Sequence, residues 1–281
     1  MTSSGSGLAE LRYLPFERLG AVRQLSLTEA IIDEVGRNLA PARLRLYAWL
    51  GESMILGAGQ RAEEIDLAAC QAYGTALLRR ISGGTAVLHD ETTISFQLTL
   101  PTAHPFVSDD IHVNYRRMAE LIVAVLMKLG IESTWTPLEE AHNDRPPDGL
   151  APICFSSLAP YEVTAHGRKL VGLAQVKRGG ATALQGMVYR SFQPAKTVRL
   201  LPRGPRSPEE LEHELALRTT DLRRESGRDI SVEEFRSAFI DQAVAVFGDA
   251  DSHAEMTAAE VQRANVLERT KYGTPGWTFR R

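Results

Sequence analysis

The chain has 281 residues and a formal net charge of −3 at neutral pH, with acidic and basic residues interspersed along it. That length supports a well-buried core in one large domain or two small ones, and the absence of a basic stripe points away from nucleic acid and anionic membranes. No run approaches the roughly 20 apolar residues that cross a bilayer, so a soluble, cytoplasmic protein with a small-molecule or protein partner is expected.

Residues 1–20 read as a tail, and Met1 to Gly7 contain no apolar run. Gln24 to Val35 predicts an amphipathic helix, with Leu25, Leu27, Ile31, Ile32 and Val35 near helical spacing. Arg43 to Trp49 then alternates polar and apolar residues, the strand period, and Met54 to Leu56 forms a second short strand between Gly51 and Gly57. Leu67 to Arg80 has helical composition and is expected to deliver the chain into the pair Gly83-Gly84. Thr92 to Leu100 is the clearest alternating strand, stopped by Pro101. Ile111 to Leu129 is the clearest helix, closed by Gly130 where a positive φ is tolerated.

Three prolines and a glycine make residues 143–152 an irregular loop leading to Cys154. Three short strand-like runs fill 161–190, and Pro202-Arg203-Gly204-Pro205 breaks the chain. Beyond the break, Ser207/Glu210, Ser231/Glu234 and Thr257/Glu260 have capping-box spacing, so the tail should be helical. The expected division is a main domain over 21–201 and a small helical C-terminal segment over 206–281.

Two stretches carry the chemistry. Arg79 to Asp90, Arg-Arg-Ile-Ser-Gly-Gly-Thr-Ala-Val-Leu-His-Asp, sets paired glycines between two arginines and an apolar strand. Backbone N–H groups at Gly83 and Gly84 can bind an oxyanion or let an acyl chain pass close to the main chain, although glycine pairs also mark simple turns. His89 alone reads as a satisfied histidine at a strand end. In the second stretch, Gly167 to Gln175, Lys169 sits on an apolar strand, where an ammonium needs a partner such as a bound carbonyl, carboxylate or phosphate. Gly57 to Ala62 fits the dinucleotide pattern G-x-G-x-x-A, but Arg79 stands where the acidic residue is expected, and a Walker A sequence is absent.

Cys70 and Cys154 are the only cysteines, far apart, so neither a disulfide framework nor a CxxC motif is present. The seven histidines lack metal-ligand spacing, and no metal site is predicted. Cys70 lies in an apolar stretch and reads as core; a nucleophile, if there is one, is Cys154, which follows a Pro-rich loop.

At these residues the chain resembles the lipoate-protein ligase and octanoyltransferase superfamily, which shares its catalytic domain with biotin protein ligases. The signature Arg-Arg-x-[Ser/Thr]-Gly-Gly-x-Ala-Val-x-His-Asp stands at 79–90 and Gly-Arg-Lys-x-x-Gly-x-Ala-Gln at 167–175. Similarity runs from about residue 20 to 190 and returns at Lys271-Tyr272-Gly273 and Trp277 to Arg281. Cys154-Phe155 followed by Tyr161-Glu162 resembles the cysteine-dependent octanoyltransferases of the LipM type.

The resemblance implies an α/β fold with a central mixed sheet covered by helices. It also implies octanoyl transfer from acyl carrier protein to a lysine of a lipoyl-domain protein, such as glycine-cleavage H protein or a dehydrogenase E2, with no cofactor. Cys154 would be the nucleophile and Lys169 would favour its thiolate and stabilise the oxyanion, while Arg80, Ser82, Gly83, Gly84, His89, Gly172, Ala174 and Gln175 would bind the acyl group or substrate. One rival is an ATP- and Mg-dependent lipoate ligase, with Lys169 on the acyl-adenylate and Cys154 incidental; another is a homologue that binds a lipoyl domain without turnover. The Gly-Arg-Gly-Arg loop of biotin ligases is absent. Thr85, Leu173 and Gln185 depart from the usual pattern and leave acyl-chain length and donor identity open.

Overall fold

The structure, a computed structural model, describes residues 11–248 and 254–281. Its strands are β1 (Leu11–Tyr13), β2 (Glu17–Gly20), β3 (Ala42–Leu50), β4 (Ser53–Leu56), β5 (Ala76–Arg79), β6 (Val87–His89), β7 (Thr93–Pro101), β8 (Thr134–Trp135), β9 (Val163–Ala165), β10 (Arg168–Arg178) and β11 (Ala181–Tyr189). The helices up to the break are α1 (Ala21–Gly36), α2 (Leu67–Ala72), α3 (Ile111–Lys128), α4 (Leu138–Asn143) and α5 (Pro194–Val198). After it come α6 (Pro208–Arg218), α7 (Leu222–Ser226), α8 (Val232–Phe247), α9 (Ala258–Leu267) and α10 (Pro275–Thr278).

One sheet runs β1-β3-β7-β11-β10-β9-β8, with β2 also pairing to β3; β1 and β2 lie parallel to β3 and the other pairings are antiparallel. A smaller sheet, β5-β4-β6, stands beside it. This is the mixed α/β architecture expected. Helix α1 covers one face of the large sheet through Ile31, Ile32 and Val35 against Ala181 and Ala183. Helices α3 and α8 cover the other, where Phe96 of β7 meets the Phe239 ring at 5.2 Å.

Several local readings give way to tertiary structure. Residues 11–20 are two strands of the sheet rather than a tail, because alternate side chains Leu11 and Tyr13 are buried against β3; the first ten residues lie outside those described. Leu67 to Arg80 is not one helix. It stops at Tyr73, Gly74 takes φ +66°, and Ala76 to Arg79 pairs in parallel with β4, where Leu78 and Arg79 find buried partners that a helix would not offer. The runs in 161–190 become one short strand and two long ones of 11 and 9 residues, turned at Gly179-Gly180.

The C-terminal residues form helices, and all three capping boxes close as spaced. They do not stand apart as an appendage. Leu222, Phe235 and Phe239 share the main core with α3, and each such buried side chain contributes roughly 1.5–3 kcal/mol. Arg43 of β3 forms a bidentate, fully buried pair with Glu260 of α9 at 2.9 Å for both bonds. No described helix is long and apolar enough to cross a membrane.

Candidate active site

The two signature stretches meet at a solvent-open cavity between the large sheet, the small sheet and α1. Cross-strand pairing explains part of its wall: Tyr47, Ser95, Met187 and Gly172 occupy one row across β3, β7, β11 and β10, so three side chains and the bare Cα of Gly172 face the same side.

The glycine pair forms the adjoining rim. A Cβ on Gly57 would come within 1.8 Å of the Gly84 carbonyl oxygen, so the two backbones touch only because residue 57 is glycine, while φ +87° favours glycine at 84. Arg80 fastens this loop from inside, donating to Ser82 Oγ and to the carbonyls of Ile55, Gly83 and Thr85 at 2.7–3.0 Å. Arg80 and Ser82 line the cavity, whereas Gly83 and Gly84 are exposed beside it. The 57–62 stretch runs into a single 3-10 turn at Ala62–Glu64, not into a helix whose N-terminus could take a pyrophosphate, so the dinucleotide reading falls.

Cys154 opens another 3-10 turn, Cys154–Ser156, clipped to the glycine loop by Cys154 N–H donating to the Ala86 carbonyl and Ala86 N–H to that of Pro152, both at 2.9 Å. Thr219 Oγ1 donates to the Phe155 carbonyl at 3.0 Å and Thr220 N–H to the Lys169 carbonyl at 2.9 Å, so the segment after α6 locks turn and strand together. Lys169 and Cys154 are thereby side by side. Lys169 Nζ lies 3.5 Å from Cys154 Sγ, 2.7 Å from the Cys154 carbonyl, 3.2 Å from that of Ser157 and 2.6 Å from Glu162 Oε2. Burial works against the Lys169 charge, but Cys154 and Glu162 outweigh it and hold the ammonium above the ordinary lysine value. Burial lifts the Glu162 carboxyl above the ordinary glutamate value, and Lys169 and the backbone N–H groups of Ala159 and Leu173 offset only part of that rise.

Gly172 and Ala174 line the cavity, and a Cβ at Gly172 would meet the Phe155 ring at 3.2 Å and Lys169 Cε at 3.6 Å. Gln175 is not among the lining residues. His89 lines it too, stacked on Trp49 at 4.1 Å with Nδ1 unpartnered among the described residues; burial and the nearby Arg80 push it down to about 3, so at neutral pH it is uncharged. Cys70 is buried in α2, and burial pushes its thiol up to about 11.

Nothing local in the sequence assigns Glu162 a role or marks Trp49, Leu25 and Thr28 as residues of the wall. Tyr272 reaches the cavity from the C-terminal segment, as only the similarity of Lys271-Tyr272-Gly273 had hinted. A buried cation beside a thiol and an apolar cavity can hold an acyl group on sulfur and stabilise charge on its carbonyl oxygen.

The model of the lipoyl protein ligase A/B catalytic domain matches residues 21–244. The chain is 28% identical over 271 residues to octanoyltransferase LipM of Carboxydothermus hydrogenoformans, covering 96% of this chain and 98% of that one. It is 30% identical over 237 residues to octanoyltransferase LipM of Exiguobacterium sibiricum, covering 83% and 85%. Among solved structures, a lipoate-protein ligase A bound with ATP superposes with a TM-score of 0.76 at 25% identity, covering 96% and 98%.

Proposed function

The chain belongs to the lipoyl protein ligase A/B catalytic-domain family, and from that premise we propose that it is a cysteine-dependent octanoyltransferase of lipoate biosynthesis. Its acceptor is a lysine of a lipoyl-domain protein, and its donor is octanoyl-acyl carrier protein. The observation that carries this reading is the 3.5 Å approach of Lys169 Nζ to Cys154 Sγ at the wall of an apolar cavity.

The Cys154 thiolate attacks the thioester carbonyl; the new C–S bond forms, the donor's C–S bond breaks, and the donor leaves as a thiol after taking up a proton. The octanoyl chain extends along the Gly172–Met187 row, where the absence of a side chain at Gly172 leaves room beside Phe155. Lys169 faces the carbonyl oxygen as charge develops on it. The neutral acceptor amine then attacks the acyl-enzyme, the amide C–N bond forms, and Cys154 leaves with the proton released from nitrogen going to solvent. Thioester to amide runs downhill, so the route needs no ATP.

The test is the intact mass of wild type and Cys154→Ala after incubation with octanoyl-acyl carrier protein without ATP. A hydroxylamine-labile octanoyl adduct on wild type alone is expected. No adduct, with lipoate attached to a lipoyl domain only when ATP is supplied, would move the protein to the ligase branch, a result that the ATP-bound structural neighbour keeps in view.

A further inference from the structure

The Glu162–Lys169 pair constrains the chemistry beyond the assignment of Cys154 and Lys169. Both side chains are almost wholly buried, at 3% and 2% exposure, and their charged atoms lie 2.6 Å apart. The Glu162 carboxylate also accepts from Ala159 N–H at 2.8 Å. Tyr161, at φ +66°, precedes Glu162, which is buried immediately before β9. Lys169 in turn spends its ammonium hydrogens on Glu162 and on the carbonyls of Cys154 and Ser157, leaving Sγ at 3.5 Å as the longest of its four contacts.

An amine that took up the thiol proton would have to rest unprotonated, beside a buried carboxylate and two carbonyl acceptors that all favour N–H donors. We propose, on the transferase reading above, that Glu162 is a positioning residue that keeps Lys169 an oriented ammonium throughout turnover, so that Lys169 acts on Cys154 and on the carbonyl oxygen by charge alone. The thiol proton leaves to solvent, not to Lys169. When Cys154 is acylated and its negative charge is gone, Glu162 remains to balance the buried ammonium, so Lys169 is still a cation when the acceptor amine attacks.

The other groups facing Cys154 do not confuse this picture. Tyr115 on α3 and Tyr189 on β11 are raised by burial, His89 is neutral, and Arg80 keeps its charge at any accessible pH. Among the described groups facing the sulfur, the charges that the variants below alter are therefore those of Lys169 and Glu162.

Alkylation of Cys154 by iodoacetamide, followed on the Cys154 peptide across pH, tests this without any acyl donor. Glu162→Gln removes a negative charge but keeps an acceptor for Lys169, so its alkylation midpoint is expected to fall by about one pH unit or more, while Glu162→Asp stays with wild type. Lys169→Arg, a cation unable to accept a proton, should also keep the wild-type midpoint, and Lys169→Met should move alkaline. A Glu162→Gln profile that superimposes on wild type or moves alkaline, or a Lys169→Arg protein that behaves as Lys169→Met does, overturns the proposal. Should Glu162→Gln not fold, the two Lys169 variants decide alone. Absence of an acyl adduct on wild type would remove the transferase reading but leave these profiles readable.

Discussion

Arg79 grips the C-terminal turn: its Nε and Nη2 donate to the Thr278 carbonyl at 2.9 and 2.7 Å, while Nη1 donates to the carbonyls of Gly57 and Gln60. Trp277 Nε1 answers by donating to the Arg79 carbonyl at 2.8 Å. The first arginine of the glycine signature therefore ties the end of the chain to the loop, and does not face the cavity; the second, Arg80, holds the loop itself. Arg79→Met takes a donor from the buried carbonyls of Thr278, Gly57 and Gln60, of which Gly57 keeps the Gln60 N–H, and should destabilise the protein by roughly 2–4 kcal/mol. Urea unfolding of the variant measures the loss, and octanoyl transfer should fall with it because Tyr272, in the same C-terminal segment, lines the cavity.

The contact of Gly57 with Gly84 predicts a sharp contrast with its neighbour. Gly57→Ala drives a Cβ into the Gly84 carbonyl oxygen, whereas a Cβ at Gly59 meets none of the described residues within 4 Å. Gly57→Ala should cost roughly 2–4 kcal/mol through forced backbone movement, and Gly59→Ala less than about 0.5 kcal/mol. Thermal unfolding of the pair, with circular dichroism to confirm the fold, separates them; equal melting points would show that the loop can yield.

Gly172 reports on where the acyl chain lies. Gly172→Ala adds a methyl 3.2 Å from the Phe155 ring, a distance that side chain can relieve by a few tenths of an ångström. Gly172→Val fills the cavity beside Cys154, and octanoyl transfer should fall at least about tenfold, with a smaller loss for butyryl donors. Comparing kcat/KM for butyryl and octanoyl donors checks this. An unchanged ratio would place the chain elsewhere.

His89 makes stability depend on pH in a defined direction. Its folded value of about 3 lies below the 6.5 of an exposed histidine, so the unfolded chain binds the extra proton. The contribution is fully present above pH 6.5 and is lost as pH falls toward 3. Between pH 7 and pH 5 the wild type should lose roughly 2 kcal/mol more than His89→Phe, which keeps a ring against Trp49 and cannot titrate. Urea titrations of both proteins at the two pH values measure the difference.

Much of the fold was legible because it rests on local chemistry. Helices α1 and α3 follow from apolar spacing and from the positive φ that Gly130 accepts, and the three capping boxes are closed by residues three positions apart. The strand β7 shows its alternation in the sequence. Leu77 and Leu78 were misread because a segment of leucines and alanines suits either period, and pairing with β4 chooses the strand. Leu11 and Tyr13 were misread because three residues carry no period at all.

By itself, the sequence determined the chemical inventory: a lone thiol after a proline-rich loop, a lysine on an apolar strand, and glycines between arginines, in the order that marks the family. Only the tertiary structure decided which of these groups meet. Cys154 and Lys169 are 15 residues apart and become neighbours through Ala86, Thr219 and Thr220; Arg79 turns from the cavity to the C-terminus; and Glu162 becomes the counter-ion that Lys169 requires. The reason is physical: a side chain's type sets what it can bond, but burial and long-range backbone pairing set what remains within reach.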